Sequence, residues 1–218
     1  MEATSGAVRA GRTVAGLLGL LALVGTLAVS DDSLTAANFF SYFTIESNVL
    51  AAVVLLGLAA VPTAAESTEG LRAASTLYMV VTGVVYNVLL RGVDVGIEST
   101  AFGDLCNELL HVVVPVLILV DWLVVPPLRV IGRSRALLFL LFPLVYLGYS
   151  LARGELSGWY PYPFLNPGNG GYGRVLLYGL VLAVVMLGLS MAIEETGRRG
   201  AARAHGVVAP PSGRHDPA

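Results

Sequence analysis

Six apolar runs of about 20 residues, separated by short polar connectors, limit this chain to one kind of fold. They lie at about 11–30, 41–61, 73–91, 104–125, 136–153 and 173–193. A run of that length crosses a bilayer as a helix, because every backbone polar group must be satisfied within the segment. The expected fold is therefore all-α. It is a polytopic membrane protein, a six-transmembrane-helix bundle over residues 1–195. Composition agrees: 13% of the 218 residues are charged and 56% are hydrophobic, whereas a soluble domain carries about 25% charged residues. Short connectors predict one compact bundle. Residues 196–218 are rich in Gly, Ala, Pro and Arg and read as a disordered cytoplasmic tail.

Arginine placement predicts orientation, since basic residues accumulate in cytoplasmic loops. Arg9 and Arg12 precede the first run, and Arg72 lies between the second and third. Arg129, Arg133 and Arg135 lie between the fourth and fifth, and Arg198, Arg199, Arg203 and Arg214 follow the sixth. With six spans, all of these fall on one side, so both termini are expected in the cytoplasm. The opposite loops carry Asp31, Asp32, Asp94, Glu98 and Glu155, with Arg91, Arg153 and Arg174 at helix ends. A rival reading makes the first run a signal peptide ending at Ala28-Val29-Ser30. Its apolar stretch is long for that role and five more spans follow, so a retained helix is expected. The net charge of −2 gives no reason to expect nucleic acid. The one cysteine, Cys106, cannot form an intramolecular disulfide.

Polar side chains inside spans face the bundle interior rather than lipid. At 100° per residue, four stripes emerge. They are Ser41, Thr44 and Asn48; Thr76, Gly83, Asn87 and Arg91; Asp104, Asn107, Glu108, His111, Pro115 and Trp122; and Tyr146, Tyr149, Ser150 and Arg153. Their polar members crowd the outer third of the membrane, which predicts one polar pocket opening outward. Pro115 and Pro143 are expected to kink their helices and widen the bundle.

What chemistry fits is narrowed by elimination. The spans hold one histidine and one cysteine, too few for a zinc site with three protein ligands. Glu108-Leu109-Leu110-His111 occurs once, whereas a carboxylate-bridged metal pair needs the motif on two helices. Phosphate loops, nucleophile elbows and dinucleotide fingerprints are absent, so no metal or cofactor is expected. A hydroxyl–imidazole pair remains. His111 could take the proton from Thr44 and later return it to a leaving group. Asn107 or Glu108 would orient the imidazole, and Asn48, Asn87 and Arg91 would bind or orient a substrate, Arg91 by its charge. Ser41 and Ser47 are rival nucleophiles.

Plainer roles stand beside these. Threonine in a membrane helix commonly bonds back to its own backbone. Asparagine and histidine often tie helices together, at about 0.6 kcal/mol each on average. Asp121-Trp122 reads as an interfacial anchor, Cys106 as packing, and Glu46 as a side chain turned away from the stripe. The aromatic, proline-rich loop Gly158-Trp159-Tyr160-Pro161-Tyr162-Pro163-Phe164 reads as an interfacial anchor, with a lid or plug as the alternative. On these terms the protein is an ester hydrolase, a non-catalytic binder or transporter of lipid or small anions, or a structural membrane subunit.

The segments Phe39-Phe40-Ser41-Tyr42-Phe43-Thr44-Ile45-Glu46-Ser47-Asn48, Asn107-Glu108-Leu109-Leu110-His111 with Pro115, and Gly158 to Phe164 resemble a bacterial family of six-span membrane proteins with recurrent prolines. That group in turn resembles the androgen-induced-gene family of membrane threonine hydrolases. The likeness runs over spans two to six. It implies that Thr44 and His111 carry hydrolysis, that the substrate is a fatty-acyl ester drawn from membrane lipid, and that the protein sits in a bacterial plasma membrane. The Glu46-Ser47-Asn48 continuation departs from the eukaryotic pattern.

Overall fold

The computed structural model describes residues 5–30, 34–93 and 100–206. Asp31, Asp32, Asp94, Glu98, Arg214 and residues 207–218 of the expected tail lie outside them. Nine α-helices among the described residues are α1 (Gly6–Ala28), α2 (Ala36–Phe39), α3 (Phe43–Ala60), α4 (Ala65–Val85), α5 (Ala101–Glu108), α6 (Val114–Val124), α7 (Arg133–Leu138), α8 (Leu141–Ser157) and α9 (Gly171–Gly206). They compose six segments long and apolar enough to cross a membrane: Gly6–Ala28, Phe43–Ala60, Pro62–Leu90, Ala101–Val124, Arg133–Ser157 and Gly171–Arg203. The protein is a multi-pass membrane protein. Leu17, Leu21 and Val24 of α1, Leu144 and Val145 of α8, and Leu176, Leu180 and Val184 of α9 are exposed, as lipid-facing side chains are.

Two boundaries differ from the sequence reading. The third span begins at Pro62 rather than near 73, because its polar first turns are absorbed into the interior by Glu69 and Arg72. The expected tail does not start at 196. α9 runs on to Gly206, where Glu195 pairs with Arg198 and Arg199 at three- and four-residue spacing, an arrangement that supports helix.

Small residues bring the first helix in. Ala15, Gly16, Gly19, Ala22 and Gly25 lie along its buried face. A Cβ at Gly16 would lie 2.6 Å from Leu56 Cγ, and one at Gly25 would lie 2.6 Å from Cys106 Sγ. Backbones that approach this closely gain packing contacts, the main attraction between helices in lipid. The core then fills from α3, α4 and α6 with Ala51, Leu55, Met79, Val114 and Ile118.

The end of the bundle that bears both described termini holds a buried ion cluster that sequence reading missed. Asp121 accepts from Arg12 Nε at 2.7 Å and from Arg72 Nε at 2.9 Å, and Arg72 also meets Glu69 at 3.3 Å. Arg72 further donates to the carbonyls of Asp121 and Val125, each at 2.7 Å. Its guanidinium lies 5.1 Å from the Trp122 ring centroid, and Trp122 Nε1 donates to Thr196 at 3.1 Å. Asp121-Trp122 is thus not an interfacial anchor. It locks α1, α4, α6 and α9 together.

Two π-turns occur in the spans, one ending the third at Tyr86–Leu90 and one inside the fourth at Leu109–Val113. Each shifts bonding from four residues back to five. Side chains take carbonyls at these turns: Asn87 Nδ2 bonds Gly83 O at 2.8 Å, and Asn48 Nδ2 bonds Leu110 O at 3.2 Å. The turns lie side by side, because a Cβ on Gly83 would stand 3.2 Å from His111 O and 3.4 Å from Pro115 Cβ.

Candidate functional site

α3 places Thr44 in its first turn, and that position frees its hydroxyl. The i−4 carbonyl of Thr44 belongs to Phe40, outside the helix. Ser30, Ser41 and Thr76 each donate to an i−4 carbonyl, the usual bond of such side chains. Thr44 Oγ1 instead meets His111 Nε2 at 3.2 Å. Tyr42 occupies the N-cap and supplies no capping side chain. Two tyrosine hydroxyls replace it. Phe43 N–H donates to Tyr146 Oη at 3.2 Å, and Thr44 N–H donates to Tyr162 Oη at 3.3 Å, satisfying amides that a helix start leaves open.

His111 is held from three directions. Its Nδ1 lies 2.9 Å from the Asn107 carbonyl. A carbonyl only accepts, so Nδ1 carries the proton and Nε2 presents a lone pair to Thr44. Tyr86 stacks on the imidazole, with centroids 4.1 Å apart and planes 23° from parallel. Tyr86 Oη is itself fixed by Asn107 Nδ2. The adjoining π-turns set this stack, since each carries one of the two rings. π-Bulges of this kind are frequent at functional sites.

The other expected site residues divide into two groups. Asn107 orients His111, but through its backbone oxygen, its side chain being spent on Tyr86. Asn48 is fully buried and ties α3 to the second π-turn through Thr44 O and Leu110 O, so it positions both partners without pointing at a substrate. Asn87, Arg91 and Glu108 form an exposed cluster at the outer edge of the stack, the Arg91 guanidinium lying 5.1 Å from the Tyr86 ring centroid. Arg91 Nη1 meets Glu108 Oε1 at 2.8 Å, and its Nη2 meets Asn87 Oδ1 at 2.8 Å. Glu108 thus meets Arg91, while the imidazole Nδ1 meets the Asn107 carbonyl.

The four stripes do not form one polar pocket. Asp104 is exposed, because the π-turn shifts the phase of the fourth span between Asp104 and His111. Tyr146, Tyr149 and Arg153 bind the turn ahead of α3 instead: Tyr146 Oη donates to Ser41 O at 2.9 Å, Tyr149 Oη lies 2.7 Å from Ser41 Oγ, and Arg153 donates to Asn38 at 2.7 Å. Ser41 is therefore engaged in that turn, outside α3. Ser47 is buried and its hydroxyl has no hydrogen-bond partner among the described residues, so no base activates it. Glu46 is half-buried, and one of its carboxylate oxygens likewise has no partner there.

Beside Thr44 lies an apolar cavity of about 140 Å³ rather than the polar one expected. Its walls come from α3, α4, α8 and α9, among them Phe43, Val81, Leu144, Leu147, Gly179 and Met186. Pro143 lines it too. Leu144 lines the cavity and is exposed, so this wall reaches the outer surface of the bundle at α8.

The aromatic loop closes the cavity's other end. Tyr160 packs against Gly154, where a side chain would collide with its ring. Tyr162 is buried, stacks on Phe164 at 5.2 Å and meets Tyr42 edge-on at 5.6 Å. The loop thus folds inward over Thr44 and the end of the cavity. Tyr162 Oη stands 3.4 Å from Thr44 Oγ1, and burial pushes its phenol above the ordinary value, keeping it protonated. Sequence reading missed Tyr162 and Tyr86 as members of the site. The proline-bracketed Tyr162 was the one available signal.

Comparison with protein-family models, curated proteins and solved structures found no match. The chemistry of the site rests on its own geometry.

Proposed function

We propose that the protein is an intramembrane ester hydrolase that uses Thr44 as nucleophile and His111 as general base, acting on a fatty-acyl ester in a bacterial plasma membrane. The observation that carries this reading is the line Asn107 O, Nδ1–H of His111, Nε2, Thr44 Oγ1, with ends at 2.9 and 3.2 Å. It has the order of an orienting acceptor, a base and a hydroxyl, which is how a weak nucleophile is activated. Here a backbone carbonyl takes the orienting place that a carboxylate holds elsewhere.

The acyl chain would lie in the apolar cavity, entering from the bilayer between α8 and α9, with its carbonyl at Thr44. His111 takes the Thr44 proton as Oγ1 attacks the carbonyl carbon, and gives it to the departing alcohol oxygen as the tetrahedral intermediate collapses. Water then attacks the acyl-threonine, losing its proton to His111, and Thr44 regains that proton as the acid leaves.

The test is turnover of a chromogenic medium-chain acyl ester by purified protein in detergent micelles. Thr44→Ala and His111→Ala should each lower kcat by at least about 10³ while both proteins remain folded. A wild-type protein that binds a fluorescent fatty acid without turning over the ester would mark a lipid-binding protein. Mutants that lose only thermal stability would mark a structural pair.

A further inference from the structure

Tyr162 is unusual for a loop residue between spans: it is buried, lies beside Thr44, and is fixed on all sides. Its hydroxyl accepts the Thr44 N–H at 3.3 Å and stands 3.4 Å from Thr44 Oγ1. A hydroxyl has one proton and two lone pairs. With a lone pair committed to the backbone amide, the O–H is turned away from that amide and can point at the space around Oγ1. The cavity wall contains Thr44 and Tyr162 together, so an acyl carbonyl reaching one also reaches the other.

We infer that Tyr162 is a third catalytic residue, whose phenol donates the hydrogen bond that stabilises the oxyanion formed when Thr44 attacks an ester. This rests on the hydrolase reading above. When Thr44 Oγ1 bonds to the carbonyl carbon, the π pair of C=O moves onto the carbonyl oxygen, while the hydroxyl proton moves to His111 Nε2. The new oxyanion is one bond from the attacked carbon, within hydrogen-bond reach of a donor 3.4 Å from Oγ1. Tyr162 donates without losing its proton. On collapse the pair returns to re-form C=O, the bond to the alcohol oxygen breaks, and His111 protonates that oxygen. The same donor serves the second tetrahedral intermediate, formed by water.

The loop is built to hold this donor in advance, which is what makes such stabilisation effective. Pro161 and Pro163 flank Tyr162 and fix the backbone on both sides. Phe164 stacks on its ring with planes 6° apart. The N-terminal end of α3, eighteen residues long, also points its positive dipole at the same spot. The aromatic loop is thus both the cover of the site and the source of one of its reacting groups.

The experiment compares wild type, Tyr162→Phe and Thr44→Ala on the chromogenic acyl ester and on a fluorophosphonate probe, with a thermal melt of each. Tyr162→Phe keeps the ring and its packing and removes the hydroxyl; the melt reads the loss of the acceptor for the Thr44 N–H, and the kinetics read the loss of the donor. Its kcat should fall about 10²- to 10³-fold, as for loss of one oxyanion donor. KM should stay within about threefold, the pattern for an interaction made only in the transition state. Phosphonylation should slow in parallel, since it passes through a similar anionic centre. Wild-type kcat and labelling rate in Tyr162→Phe, with Thr44→Ala dead, would overturn the role of Tyr162 and leave the Thr44–His111 pair standing. A wild type that neither turns over nor labels would overturn both. A Tyr162→Phe protein that melts like wild type and loses kcat supports the inference. One whose lost rate returns in full when it is assayed well below its lowered melting temperature overturns it.

Discussion

Replacing Asp121 by asparagine should destabilise the bundle strongly at the end that bears the termini. Asp121 accepts from Arg12 Nε at 2.7 Å, Arg12 Nη2 at 3.3 Å and Arg72 Nε at 2.9 Å. Arg12 and Arg72 are 3% and 2% exposed, and Asp121 is 10% exposed, so water cannot replace what is removed. The two arginines differ in what remains. Arg72 keeps Glu69 and the carbonyls of Asp121 and Val125. Both side-chain bonds of Arg12 go to Asp121, and in Asp121→Asn it faces one neutral oxygen. Removing one partner of a buried ion pair costs about 3–5 kcal/mol, because the other charge is left uncompensated. A neutral interhelical bond in lipid averages about 0.6 kcal/mol, so the charge and not the bond count sets the scale. The assay is reversible unfolding in mixed micelles, titrating a denaturing detergent against a mild one and following helical circular dichroism. The double change Arg12→Met with Asp121→Asn leaves Arg72 balanced by Glu69, and it should recover much of the loss, since removing a buried pair together is often close to neutral. A loss below about 1 kcal/mol for Asp121→Asn would show that the cluster is solvated, because that is the scale of an exposed pair.

Two further outcomes follow from the cavity. Gly179→Leu should shift preference toward shorter acyl chains, because Gly179 lines the cavity with Leu147 Cδ2 only 3.4 Å from where a Cβ would stand; kcat/KM across a chain-length series reads this, and an unchanged profile would place the chain elsewhere. Thr82→Val should stabilise the protein by about 1 kcal/mol, since an unpaired buried hydroxyl carries a desolvation cost that a methyl does not; Thr82 is 4% exposed and its hydroxyl has no partner among the described residues, and a lowered midpoint in the detergent titration would contradict it.

The spans were legible because length and hydropathy act over some twenty residues at once. Thr44 and His111 were legible as neighbours because depth along two helices follows from rise per residue. Their hydrogen bond was not, since it depends on the first turn of α3 withholding a back-bonding carbonyl from Thr44. The π-turns erased the assumed stripe across Asp104 and His111: one extra residue per turn rotates everything beyond it, and Leu109-Leu110-His111-Val112-Val113 has no composition that marks it. Arg12, Arg72 and Asp121 sit near the ends of three different spans, so each alone resembled a flanking charge. Only the three-dimensional pairing makes them a cluster. Tyr162 was visible as part of an aromatic loop, but whether such a loop lies on the membrane surface or folds inward depends on contacts such as Tyr160 on Gly154 that no local pattern encodes.

A Thr44 hydroxyl activated by His111 should react covalently with an electrophile that mimics an ester. Peptide mapping by mass spectrometry of wild-type protein treated with a fluorophosphonate in lipid nanodiscs locates the adduct. A single phosphonyl adduct on Thr44, formed about 10³-fold more slowly in His111→Ala, is the predicted result. An adduct on Ser41 or Ser47, or labelling that persists unchanged in Thr44→Ala, would contradict it.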